Sequence, residues 1–140
     1  MNRLFGLVLV LVAVIGCGGG GDWSGTFAGS LSLSGSCSDG SSVPATPEDL
    51  SLSITQSGNS LSWKASCGAT ATGSIDGNTA SVDQYSCPSS LDDAGVSTSV
   101  TVDGGTLTLD GNTLNVSLTI TETVGTATCN LILSGPLARQ

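Results

Sequence analysis

Apolar and polar residues alternate along most of the chain after residue 22. Between residues 23 and 33 the large apolar side chains fall on one face, and serine and threonine fall on the other. The same alternation recurs at residues 50–55, 61–67 and 114–121. A period of two is typical of β-strands that bury one face, so these segments are predicted to be strands.

Short turn signals separate the alternating segments. Asp-Gly-Asn occurs at residues 76–78 and 110–112, and glycine there accepts a positive φ at little cost. Residues 103–105, Asp-Gly-Gly, predict a further turn, and Pro44 and Pro47 predict a loop over residues 34–49. The fold class that follows is all-β, an antiparallel up-and-down meander of eight to nine strands, forming a small barrel or a sandwich.

The first sixteen residues have a different pattern. Arg3 is followed at residues 4–15 by twelve residues that are apolar except for Gly6. That length fits the apolar region of a secretory signal, about 7–15 residues. It is shorter than the roughly 20 residues that a transmembrane helix needs. We therefore expect an export signal rather than a membrane span.

The residues Val14-Ile15-Gly16-Cys17 resemble the lipobox of bacterial lipoproteins. The resemblance implies cleavage before Cys17 and attachment of lipid to its thiol. The chain would then consist of a signal peptide (1–16), a lipidated cysteine with a glycine-rich tether (17–22) and a single all-β domain (23–140). The implied location is the bacterial cell envelope, and Gly18 after the cysteine implies the outer membrane in a Gram-negative organism.

Trp23 opens the first predicted strand as part of Gly21-Asp22-Trp23. This opening, followed by a meander, is similar to lipocalin-like and avidin-like small barrels. The resemblance implies that Trp23 is a structural plug at a closed end. Trp63 and Tyr85 are candidates for lining a ligand cavity, and simple core packing is the other interpretation of both.

Four cysteines follow Cys17, namely Cys37, Cys67, Cys87 and Cys129. An even number in an exported chain predicts two disulfides. Their spacings of 30, 20 and 42 residues lack the close pairs that zinc sites favour, so no metal is expected. Because Cys67 and Cys87 end strands that flank one hairpin strand, we favour Cys67–Cys87 with Cys37–Cys129. The other two connectivities stay open.

The charge of the chain narrows the possible partners. Removal of Arg3 with the signal leaves two cations and eleven acids, a net charge of −9. Such a chain cannot neutralise phosphates, which argues against nucleic acid. Anionic lipid headgroups would repel it, so the membrane anchor must be the lipid on Cys17.

Catalytic chemistry has few candidate residues. The chain has no histidine, which rules out Ser-His-Asp and Cys-His arrangements. Lys64 is predicted to point to solvent, and Asp92-Asp93 are adjacent rather than facing across a cleft. We expect no enzyme activity and no cofactor.

The sequence thus predicts a lipid-anchored envelope lipoprotein with a disulfide-stapled β domain. Its role would be structural or interactive, with another envelope protein as the partner. The alternative is a lipocalin-like carrier of a small apolar ligand.

Overall fold

The protein is described here by a computed structural model that covers residues 21–140. Every strand pairing in it is antiparallel, and all strands belong to one sheet. The ten strands are β1 (Gly25–Cys37), β2 (Ser42–Ser57), β3 (Ser60–Lys64), β4 (Thr70–Asp76), β5 (Thr79–Val82), β6 (Tyr85–Ser86), β7 (Ser90–Leu91), β8 (Ser97–Asp110), β9 (Thr113–Val124) and β10 (Ala127–Arg139).

Eight of the strands close into a ring. Neighbours in the chain pair from β1 to β5, β5 pairs with β8, β8 to β10 pair in order, and β10 returns to β1. The strands β6 and β7 pair only with β8, beyond the end of β5, and are not part of the closed circuit of pairings. The all-β, up-and-down prediction is confirmed. The count of ten exceeds the predicted eight to nine because two-residue strands are too short to show alternation.

The core lies inside the ring and is apolar. It contains Trp23, Phe27 and Trp63 together with leucine, isoleucine, valine and alanine side chains from all eight ring strands. Among residues 21–140 no polar or charged residue is buried. The period-two pattern therefore predicted the inward face correctly.

The predicted turn at residues 103–105 is wrong. Strand β8 runs through this segment, and its register against β9 shifts between Val102 and Gly104, which marks a β-bulge. Gly105 lies so close to β9 that a Cβ would overlap the carbonyl oxygen of Ser117. The glycines therefore bend a continuous strand and permit close approach of two backbones, which is their other common use in sheets.

The predicted loop at residues 34–49 is also wrong. Strand β1 continues to Cys37, and β2 begins at Ser42 and pairs with β1 past both prolines. Proline is tolerated because this part of β2 is a sheet edge: β3 pairs with β2 only at residues 55–57. An edge strand can lack an N–H donor without losing a ladder hydrogen bond.

Residues 1–20 lie outside the described residues. The predicted signal peptide, the lipidation site Cys17 and most of the tether fall there. In the described part, residues 21–140, no helix is long and apolar enough to cross a membrane.

Candidate ligand-binding site

One end of the ring is closed by tight turns, by residues 21–24 and by the C-terminal residues. The β2–β3, β4–β5 and β8–β9 turns lie here, as do residues 21–24 and the C-terminus. Trp23 has no exposed surface and packs with Phe27 in the core. This burial is what a structural plug requires.

Arg139, near the C-terminus, holds the segment that enters the barrel at the closed end. Its Nη1 donates a hydrogen bond to the carbonyl oxygen of Ser24 at 2.6 Å, and Nη2 donates to that of Asp22 at 2.5 Å. The guanidinium carbon lies 4.6 Å from the centre of the Phe27 ring. From the other side, the Trp23 amide donates to Gln56 Oε1 at 3.1 Å. The segment that leads into β1 is therefore held by side chains of both strands that pair with β1, namely β10 and β2.

The opposite end of the ring is open. Strands β3 and β5 end at Lys64 and Val82, whereas β1, β2, β8, β9 and β10 continue well beyond that level. The wall is thus lower on one side, and the inward side chains of the long strands have no opposing strand there.

A cavity of about 150 Å³ occupies this end. Trp63 and Tyr85, the two residues predicted to line a cavity, both line it, and Trp63 is only 4% exposed. The remaining lining residues are mostly apolar: Leu50, Leu52, Ala65, Ser66, Cys87, Val100, Val102, Leu118, Ile120 and Leu133. A larger concavity of about 510 Å³ beside Arg139 lies open on the surface and is mainly polar. Enclosure and apolar lining make the smaller cavity the better candidate site.

The cavity contains no charged side chain. Among its lining residues only Ser66 and Tyr85 have a side chain with a hydroxyl group. Burial raises the pKa of Tyr85 above its ordinary value, so the phenol stays neutral at neutral pH. The lining can therefore hold an apolar group, and it provides no charge for an ion.

One disulfide lies at the mouth of the cavity. Cys87, which lines the cavity, is bonded to Cys67 in the β3–β4 connection, so the bond joins two segments that flank the opening. The other disulfide joins Cys37 to Cys129, which lie opposite each other on β1 and β10 at the far tip of the sheet. This is the connectivity that the sequence analysis favoured.

The remaining sequence candidates have local roles. Lys64 is exposed, and its Nζ lies 3.4 Å from the carbonyl oxygen of Gly68, which accepts its hydrogen bond. Asp92 Oδ1 accepts hydrogen bonds from the amides of Ala94 and Val96, at 2.9 and 2.8 Å, and so shapes its own turn. In the described part of the chain, no three His, Cys, Asp or Glu residues are grouped as a metal site would require.

Sequence reasoning missed most of the cavity wall. Leu50 and Ile120 lie in alternating segments that were predicted to be strands, but neither was predicted to line a cavity. Their alternation gives the face of the sheet, and only the unequal strand lengths show that they meet space rather than other side chains.

Known proteins do not assign a role to this cavity. No protein-family model, no curated protein and no solved structure matches the chain. The function is therefore argued from the geometry and chemistry of the described residues.

Proposed function

We propose that the protein is a lipid-anchored protein of the bacterial envelope that binds a small apolar ligand, without catalysis, at the open end of its barrel. The observation that carries the binding role is the partly enclosed cavity of about 150 Å³ with an uncharged lining. A cavity of that size lined by apolar side chains holds a molecule of about the size of benzene. The ligand is thus one ring, or the apolar part of a longer molecule.

The anchor is proposed from the lipobox resemblance at Cys17. Lipid chains contribute about 0.8 kcal/mol per buried CH₂, and two or more chains give stable attachment. The described fold is compatible with it, because residues 21–23 enter at the closed end. A tether there would direct the open end away from the membrane. This orientation leaves the mouth of the cavity free for a ligand from solution.

The anchor is tested by replacing Cys17 with serine in cells. We expect the variant to leave the membrane fraction or to accumulate as uncleaved precursor, whereas Ser24→Ala should fractionate as wild type. Cleaved Cys17→Ser protein that stays in the membrane fraction would reject the lipid anchor. Metabolic labelling with a radioactive fatty acid should mark the wild type and not the variant.

Ligand binding is best measured on the mature chain, starting at residue 17 with Cys17→Ser. That chain keeps every core residue and both disulfides and needs no detergent, which would compete for the cavity. Titration with toluene should change the fluorescence of Trp63 and the NMR signals of the cavity methyl groups. Toluene is neutral and matches the cavity in size.

A substitution at the cavity should change binding without changing the stability of the fold. Trp63→Ala removes the largest lining side chain, but it also opens the core. Ala65→Leu instead fills the cavity mouth and leaves the core side chains in place. We expect Ala65→Leu to abolish toluene binding with little loss of stability, and Ala94→Leu, on an exposed loop, to bind as wild type. Equal binding by the wild type and Ala65→Leu would refute the cavity as the site.

A structural or interactive role, the first expectation from the sequence, is the second candidate. It is favoured by Leu91 and Val124, which are 73% and 41% exposed and lie on strands that flank β8. A photo-crosslinker at position 91 should then capture a specific envelope protein in cells. The same crosslinker at the exposed polar position 115 is the control.

A further inference from the structure

The wall of the barrel carries carboxylates directly beyond the cavity. On β9, Glu122 is the next same-face residue after Ile120, and it lies opposite Val100 and Cys129. Ile120 and Val100 both line the cavity. Residues two apart on a strand, and residues opposite each other on neighbouring strands, share a face. Glu122 therefore lies on the inner face at the rim.

Strand β2 repeats this arrangement across the opening. Glu48 is the same-face neighbour of Leu50, which lines the cavity, and it lies opposite the inward-facing Leu31. Glu122 is partly buried and Glu48 is exposed. Each residue is about 7 Å along its strand from a lining residue. The rim thus carries two carboxylates on different sides of one apolar opening.

The charge around the open end has one dominant sign. Of the eleven acids, all of which lie in the described residues, eight are at the level of the cavity or beyond it; only Asp22, Asp76 and Asp110 are at the closed end. The described residues contain two cations. Arg139 is at the closed end, and Lys64 is adjacent to the inward Trp63 and so lies on the outer face. No cation of residues 21–140 faces the rim.

We infer that the ligand of the cavity is a small amphiphilic cation, an apolar ring or chain end bearing an amine or quaternary ammonium group. The apolar part fills the uncharged cavity, and the cationic head lies at the rim between Glu122 and Glu48. An anionic amphiphile such as a fatty acid is disfavoured, because its carboxylate would lie among carboxylates. This inference rests on the proposed ligand site and adds the charge of the ligand to it.

The test compares three ligands that share one ring. Benzylamine is protonated at neutral pH, benzyl alcohol is neutral and benzoate is anionic. On the mature chain with Cys17→Ser, we expect benzylamine to bind about fivefold more tightly than benzyl alcohol at low salt, and benzoate to bind most weakly. Added salt should reduce the difference between the amine and the alcohol, because the rim is open to solvent.

Variants assign the preference to the rim. Glu122→Gln should remove most of the amine preference, and Glu48→Gln with Glu122→Gln should remove the rest, with benzyl alcohol affinity unchanged. Asp110→Asn is the matched control, since it removes one negative charge at the closed end. An equal loss of preference in Asp110→Asn and Glu122→Gln would overturn the rim assignment, because net charge alone would then explain the preference.

The two proposals fail differently. If all three ligands bind equally, or benzoate binds most tightly, the cationic ligand class is overturned and the cavity remains a binding site. If neither toluene nor any of the three ligands binds, the proposed function is overturned together with the inference.

Discussion

The two disulfides should contribute unequally to stability. Cys37–Cys129 spans 92 residues of sequence and Cys67–Cys87 spans 20. A disulfide restricts the unfolded chain, and the loss of chain entropy grows with the logarithm of the loop length. For these loops the relation gives about 4.6 kcal/mol for the longer and about 3.3 kcal/mol for the shorter at 25 °C.

Nesting of the loops changes this difference only slightly. Cys67 and Cys87 both lie inside the 37–129 loop, so the inner bond shortens the outer loop by roughly a fifth. Because the dependence is logarithmic, the outer bond then contributes about 4.4 kcal/mol. The outer bond should therefore exceed the inner bond by about 1 kcal/mol.

The assay is urea unfolding of the mature chain with Cys17→Ser, carrying either Cys37→Ala with Cys129→Ala or Cys67→Ala with Cys87→Ala. The first pair should lower the free energy of unfolding more than the second. Under reducing conditions the wild type should approach the chain that carries all four substitutions. If the 67–87 pair cost as much as the 37–129 pair, or more, native-state contacts rather than loop entropy would determine the contribution of each bond.

Three further predictions concern the two ends of the barrel and the bulge. Arg139→Ala should lower the free energy of unfolding by about 2–3 kcal/mol, because it removes two charge-assisted hydrogen bonds and the stacking on Phe27. Arg139→Lys should lower it by less, and urea unfolding of both variants measures the two values. Gly105→Ala should lower the free energy of unfolding by about 2–3 kcal/mol in the same assay, because its Cβ would overlap the Ser117 carbonyl oxygen. A cost below about 1 kcal/mol would mean that β8 and β9 can separate there. Burial raises the pKa of Tyr85, so the folded state favours the neutral phenol. The contribution of this preference to the free energy of unfolding is fully present below the ordinary pKa of about 10, and it is lost as the pH rises through the raised pKa of the folded state. The phenolate absorbance of this single tyrosine should appear at a higher pH in the folded chain than in the urea-unfolded chain. At alkaline pH the Tyr85→Phe variant should lose less stability than the wild type.

The sequence predicted which residues of the strands point inward, but it did not predict where the strands end. Trp23, Leu52 and Leu118 were assigned inward from alternation alone, and all three are buried. Prolines and paired glycines led to wrong predictions, because they occur both in loops or turns and within strands at edges or bulges. Pro47 was read as a loop signal and lies on a sheet edge, and Gly104 was read as a turn signal and lies in a bulge. Local chemistry is the same in both uses, and the pairing partner decides between them.

The cavity depends on a property that no local pattern contains. Ile120 and Leu107 have the same alternating neighbours, yet Leu107 is fully buried and Ile120 lines open space. The difference arises from the neighbouring strand, because β5 ends at Val82 while β8 and β9 continue beyond it. Tyr85 reaches the cavity only because the chain breaks after β5 and returns to β8 as the two-residue strand β6. Shortening of the neighbouring strands β3, β4 and β5 thus converts a packed barrel end into a binding site. The same shortening leaves Glu48 at the rim, since a full-length β3 would pair with β2 beside it.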